Sequence, residues 1–301
     1  MDRVLVTGIS GFLGYNLASQ LKSHYRVYGT YLDSPVELSG CESLAFDFCN
    51  LDKIDRFCEA VHPKVIVHTA ARSDPDDCEQ NHKPALTLNT FGTRELARAA
   101  SRLGAKLIFL STDLVFNGTQ GFYTEADTPA PLNYYAKTKF LAELEIMNNT
   151  GFYATLRIAS LYGRGPGHRQ NFFETLEAKA KTATRMRLFT DQFRSSLFVD
   201  DAVQVIQRFI EDKSLKGLFH VGGPERLSRY EFAQRFCKVF HYPTDWMVPC
   251  RIEEAGLKAL RPRDCSLRSD KVANALKMKF TPLETGLERL REKKNSAQQT
   301  Q

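Results

Sequence analysis

Tyr134-Tyr-Ala-Lys-Thr-Lys139 holds the pair of residues that most directly suggests chemistry. Tyr135 and Lys139 are four apart, so on a helix they share a face. An ammonium beside a phenol favours phenolate and draws the tyrosine pKa toward the working pH, which suits a proton donor to a carbonyl. Tyr134 has Thr138 four residues on, and Lys137 lies at the wrong spacing. Taken alone, a Tyr/Lys pair is common on any helix surface. Here Ser111-Thr-Asp113 closes a run, Leu107–Ser111, that reads as a strand. A hydroxyl at the C-terminal end of such a strand can hydrogen-bond a substrate oxygen.

A second group of residues supplies the other half of a reaction. In Val4-Leu-Val-Thr-Gly-Ile-Ser-Gly-Phe-Leu-Gly14, an apolar β-branched run ends in glycines 8, 11 and 14. A strand-to-helix turn that brings a pyrophosphate onto a helix N-terminus must be tight, free of Cβ atoms and closely packed. Gly8, Gly11 and Gly14 supply these in order, and the helix dipole favours the anion. The second strand, Arg26–Tyr31, ends on Tyr31 where NAD enzymes carry an acid, with Asp33 two residues later. The expected cofactor is NADP(H) or NAD(H), with a lean toward NADP(H). Hydride would pass from it to a carbonyl carbon while Thr112 orients the oxygen, Tyr135 donates the proton, and Lys139 holds the cofactor ribose and tunes Tyr135.

These groups need a scaffold, and the rhythm of the chain provides one. Strands at Val4–Thr7, Arg26–Tyr31, Val65–Thr69, Leu107–Ser111 and Tyr153–Ile158 alternate with helices at 13–23, 53–61, 84–103 and about 135–147. Short apolar runs separated by helix-length segments indicate an α/β fold, a doubly wound, Rossmann-type parallel sheet with helices on both faces. After Leu161 the rhythm breaks at a loop of Gly163, Gly165, Pro166 and Gly167. The expected division is a dinucleotide-binding domain over 1–160 completed by later segments, a smaller substrate-binding region over 161–293, and a disordered tail over 294–301.

Composition excludes several classes. The chain has 301 residues, 43% hydrophobic and 25% charged, ordinary for a globular protein with a sizeable core. Its +6 charge is scattered, and the one dense basic cluster, Arg289–Lys294, reads as a solvated helix end, so neither nucleic acid nor membrane is an expected partner. Seven cysteines lie apart without ligand spacing, which fits reduced thiols in a cytoplasmic enzyme and no metal site. The chain opens directly into a strand, so a signal peptide is not expected.

The Gly-x-x-Gly-x-x-Gly spacing resembles the extended short-chain dehydrogenase/reductase superfamily. That resemblance implies cofactor contacts from Ser10, Phe12 and Leu13 in the loop, and from Tyr31. It further implies Asp47-Phe48 beside the adenine, Ala70-Ala71 along the cofactor after the third strand, Asn89 in the following helix as a structural asparagine grouped with the cofactor site, and Ser111 and Ile158. Within the superfamily the chain is similar to the dTDP-4-dehydrorhamnose reductase family nearly end to end. The similarity rests on Ser111-Thr-Asp-Leu-Val-Phe-Asn-Gly118, Pro131-Leu-Asn-Tyr-Tyr-Ala-Lys-Thr-Lys139 and Leu156-Arg-Ile-Ala-Ser-Leu-Tyr-Gly163, with Thr190-Asp-Gln192, Gly217–Gly223, Ser228–Ala233 and Arg261-Pro-Arg-Asp264 further on. It implies reduction of a 4-keto sugar on a nucleotide diphosphate, with Asp113, Asn171, Arg194 and Arg263 as substrate contacts. A homodimer is also an expectation, although Tyr15-Asn16 stand where some members carry the glutamate of a metal-linked dimer. Phe193-Arg-Ser-Ser196 likewise departs from the family's small-residue and Pro-Thr pattern. The same family contains a regulatory subunit of methionine adenosyltransferase that binds NADP, which is the alternative reading, beside a reductase of another biosynthetic carbonyl.

Overall fold

The computed structural model describes residues 1–166 and 170–299. Gly167, read above as part of a loop, lies outside them. The first half runs β1 (Arg3–Thr7), α1 (Phe12–Leu21), β2 (Arg26–Tyr31), β3 (Cys41–Ala45), α2 (Ile54–Val61), β4 (Val65–His68), α3 (Pro75–Gln80), α4 (His82–Leu86), a π turn (Thr87–Gly92), α5 (Thr93–Leu103), β5 (Lys106–Thr112), α6 (Tyr134–Asn149) and β6 (Tyr153–Ile158). Short strands follow: β7 (Leu161–Tyr162), then β8 (Met186–Phe189), β9 (Phe193–Arg194) and β10 (Leu197–Phe198), with α7 (Phe172–Lys181) between β7 and β8. Then α8 (Val199–Glu211) leads into β11 (Gly217–Val221), β12 (Leu227–Ser228), α9 (Arg229–Phe240), β13 (Met247–Cys250), α10 (Asp270–Leu276) and α11 (Leu283–Gln299).

The central sheet has the order β11-β6-β5-β4-β1-β2-β3, parallel throughout. Its strands are apolar on both faces because helices cover both. Val4 and Val6 point toward α1 and α8, whose Leu17, Leu21, Val203 and Phe209 complete one core. Leu5, between them, points the other way, toward α2, α5 and α6 through Ile54, Leu96 and Ile146. A third, aromatic-rich core forms from the later segments, with Tyr162, Phe173, Phe198, Phe232, Phe236 and Trp246 buried together.

Three local readings change. The helix expected over 84–103 is divided by the π turn, whose Gly92 lies so close to the Phe48 carbonyl that a Cβ would come within 2.8 Å of it. The widened turn faces Asn89, Thr90 and Thr93 inward. β3 and α3 had no sequence signal: the first is a short half-exposed strand at the sheet edge, and the second a six-residue turn of helix capped by Asp74. The segment read as tail from 294 continues α11 to Gln299, and 300–301 lie outside the described residues.

Candidate active site

The glycine loop stands at the point where the sheet order reverses, with β2 on one side of β1 and β4 on the other. Gly8 takes φ +74°, the left-handed region that other residues avoid. A Cβ on Gly14 would lie 2.3 Å from the Gly8 carbonyl oxygen, so α1 packs against the turn as only glycine allows. Gly11 caps α1 with no side-chain hydrogen bond and no acid in the first turn, leaving the first N–H groups for an anion. Thr7 Oγ1 accepts from the N–H groups of Thr69 and Ala70, both at 3.1 Å, and binds His68 Nδ1 at 2.8 Å. That ties the 69–71 strand end to β1. These observations fit a dinucleotide pyrophosphate.

A single cleft of about 880 Å³ brings together Gly8, Ser10, Gly11, Phe12, Leu13, Gly14, Tyr31, Asp47, Phe48, Ala70, Ala71, Ser111, Thr112, Asp113, Tyr135, Lys139, Ile158, Asn171 and Arg194. Asn89, implied as a structural asparagine, is a correction only in its grouping with the cofactor contacts. It lies behind the wall, donating to the Arg72 carbonyl and Thr138 Oγ1 at 3.0 Å and accepting from Arg72 N at 2.9 Å. It clamps the 70–73 segment to α6 and is not itself a cleft residue. Arg263 is a second correction, because its side chain is 55% exposed and paired with Glu253 away from the cleft.

Thr112, Tyr135 and Lys139 are set by two elements. Asn133 caps α6 by accepting from Ala136 N at 2.9 Å, and Glu79 accepts from Tyr134 N at 2.9 Å, fixing where the Tyr135 turn begins. Thr112 ends β5, its hydroxyl 3.2 Å from Asp113 Oδ1. Lys139 Nζ stands 4.0 Å over the Phe109 ring. Burial and then the Asp113 carboxylate push the Tyr135 phenol well above its ordinary range, against a hydrogen bond to Thr112. The expected tuning by Lys139 is not among the effects acting on Tyr135 in the protein alone. Burial also draws Lys139 down to about 7, while Glu143 pulls it up.

The other end of the cleft is charged. Asp113 is buried, with Oδ2 unbonded and 3.4 Å from Arg194 Nε. Burial raises its carboxyl above the usual range, and Arg194 opposes this. Arg194 spends its remaining donors on the carbonyls of Phe193 (2.6 Å) and Pro262 (3.2 Å), so it braces the 262–263 turn. Asn171 is likewise committed, capping α7 and donating to the Gly163 carbonyl at 3.0 Å.

Sequence reasoning missed Arg229 and Arg261, both of which line the cleft. Arg261 pairs with Asp76 of α3 at 3.0 Å. Arg229 lies over the Phe172 ring at 4.3 Å, and its Nε reaches Gln192 Oε1 at 3.4 Å. Burial and the Arg194 charge lower it to about 10. A signal existed: Ser228 and Glu231 form a capping box, which puts Arg229 on the first turn of α9.

A phenol–amine helix facing a phosphate loop across a doubly wound sheet is the arrangement of the extended short-chain dehydrogenases/reductases. Within that class the chain belongs to the family described as the RmlD substrate binding domain, which it matches over residues 1–295. Methionine adenosyltransferase 2 subunit beta of Danio rerio is 31% identical, covering 95% of this chain and 88% of that one. The spore coat polysaccharide biosynthesis protein SpsK of Bacillus subtilis (strain 168) is 30% identical over 87% of each. Among solved structures, dTDP-4-dehydrorhamnose reductase from Bacillus anthracis str. Ames in complex with NADP superposes with a TM-score of 0.86 at 27% identity, covering 97% of this chain and 99% of that one.

Proposed function

We propose that the protein is an NAD(P)H-dependent carbonyl reductase acting on a 4-keto sugar linked to a nucleotide diphosphate. The observation that carries this reading is the meeting of Thr112, Tyr135 and Lys139 in one cleft with the glycine loop. A bound nicotinamide dinucleotide supplies the hydride. The loop and the first turn of α1 hold its pyrophosphate, and Lys139 donates to its ribose. Tyr31 and Leu32 line the adenosine end without a carboxylate, and Asp47 Oδ1 is engaged by Cys49 N at 2.8 Å, which favours NADP(H). Thr112 orients the carbonyl oxygen. Tyr135, kept neutral by burial, carries the proton on its phenol oxygen and gives it to the forming alkoxide. The arginines of the far end suit the diphosphate.

All seven cysteines are free, as in a reducing cytoplasm. No helix among the described residues is long and apolar enough to cross a membrane. Leu141, Leu144 and Met147 leave an exposed apolar stripe on α6 that suits a homodimer, checked by light scattering.

The test is oxidation of NADPH in the presence of a nucleotide-linked 4-keto sugar. Tyr135→Phe is expected to lose roughly 10²–10⁴ of the rate while still binding NADPH. Bound NADPH with equal inactivity of both proteins overturns the reductase reading. It would favour an NADP-binding regulatory subunit, the reading supported by the 31% identity to methionine adenosyltransferase 2 subunit beta.

A further inference from the structure

One helical turn beyond Lys139, and on the same face of α6, lies Glu143, only 4% exposed. Its carboxylate takes part in a dense set of contacts that the reaction as described does not use. Ser111 Oγ donates to Glu143 Oε1 at 2.5 Å, from the residue next to Thr112. Arg157 of β6, 3% exposed, donates through Nε to Oε1 at 3.0 Å and through Nη2 to Oε2 at 2.7 Å. Behind it, Arg157 Nη1 lies 3.4 Å from His220 Nε2 of β11, and His220 Nδ1 lies 3.0 Å from the Tyr123 carbonyl. A donating Nδ1–H leaves Nε2 to accept from the arginine. Burial and Arg157 lower His220 to about 4, consistent with a neutral ring.

A buried ion pair contributes little to stability against apolar residues of the same shape, because both charges lose their water. Its placement therefore invites a reason other than stability. The pair is the junction of α6, β5, β6 and β11, and it sets a carboxylate one helical turn from Lys139. The other groups near Lys139 are Tyr135 on the same helix, Phe109 on β5 and His68 on β4. His68 is held neutral by burial, its pKa lowered to about 3, and Asp113 is paired with Arg194.

We propose that Glu143 is a positioning residue: clamped by Arg157 and Ser111, its carboxylate keeps Lys139 protonated and holds α6 in register with the Ser111-Thr112 strand end. The role rests on the reductase reading. Removing the carboxylate withdraws the charge that stabilises the ammonium and leaves Arg157 to repel it, so both effects act in the same direction.

The experiment is NMR titration of the protein labelled with ¹³C at lysine Cε, the Lys139 signal being assigned with Lys139→Arg. Glu143→Gln is expected to lower the Lys139 midpoint by about one pH unit or more, with Glu143→Asp restoring most of it. The alkaline limb of the NADPH-dependent reduction rate should move down by the same amount. Should Glu143→Gln fail to fold, the double variant Glu143→Gln/Arg157→Gln buries no unpaired charge and is expected to show the same direction of shift. A folded single or double variant whose Lys139 titrates within about 0.3 of the wild type overturns the proposal. Wild-type protein that reduces no nucleotide-linked keto sugar overturns the reductase reading instead, and the NMR midpoint still decides the role of Glu143.

Discussion

The two ends of the cleft are built from different material. The end proposed for the cofactor is largely backbone and small side chains: Gly8, Gly11, Gly14, Ala70 and Ala71. The end proposed for the substrate is side-chain charge: Asp113 after β5, Arg194 on β9, Arg229 at the start of α9, and Arg261 from the segment that meets α3. A backbone site works because nothing protrudes, so every added atom is an obstacle. A side-chain site works because something protrudes, so one substitution can redirect it without disturbing the fold.

The hardest way to break this contrast is Gly14→Ala. Its Cβ would meet the Gly8 carbonyl at 2.3 Å, with the backbone on both sides unable to yield. NADPH affinity, followed by fluorescence titration, is expected to fall by about 100-fold or more, equivalent to roughly 3 kcal/mol. A variant that binds normally would show that the loop is not the phosphate cradle.

Next in size is the acid sensitivity of the cofactor end. His68 is buried beneath it, bonded to Thr7 and Thr93, with its pKa lowered to about 3. Unfolded, it binds a proton below about 6.5, so the unfolded state gains protons as pH falls and stability drops between about 6.5 and 3. This slope is worth on the order of a few kcal/mol and should flatten in His68→Asn, read from urea midpoints at pH 7 and 4. His220 keeps the slope from vanishing.

At the substrate end, Arg229→Leu should raise KM for the nucleotide sugar by roughly 10–100-fold, the loss of a charge-assisted contact worth about 1.5–3 kcal/mol, and leave NADPH affinity unchanged. A fall in NADPH affinity instead would mean that the two ends are not separable. The smallest effect is expected of Arg263→Ala. An exposed pair such as Arg263–Glu253 contributes about 0.2–1 kcal/mol, so KM should change less than about threefold.

The same contrast governs what could be read from the chain. The glycine loop, the strand ends and Tyr135/Lys139 were legible because each is a local pattern tied to one turn or one helix face. The helix over 84–103 was legible as helix, but its π turn was not, since it answers to Phe48 and Thr138 from distant segments. Arg263 looked equivalent to Arg261 in the sequence. Which of the two faces inward is decided by Asp76 on α3 and Glu253, more than 170 residues apart. Asn171 and Arg194 reached the cleft wall as expected, yet their donors serve carbonyls of the scaffold. Asn89, a structural asparagine by resemblance, bonds Arg72 and Thr138 behind the cleft wall.

The last strand of the central sheet, β11, enters beside β6 only after the chain has built β7 to β10 and α8. During synthesis, then, the nucleotide half cannot close while the chain is still short of Val221. A fragment ending at residue 160 would leave the ribosome with the β6 edge unpaired and the α8 side of the sheet bare, an invitation to aggregation. Split-protein or domain-swap designs that cut at the apparent boundary would therefore fail. A usable seam has to keep 199–221 covalently or physically with the N-terminal piece.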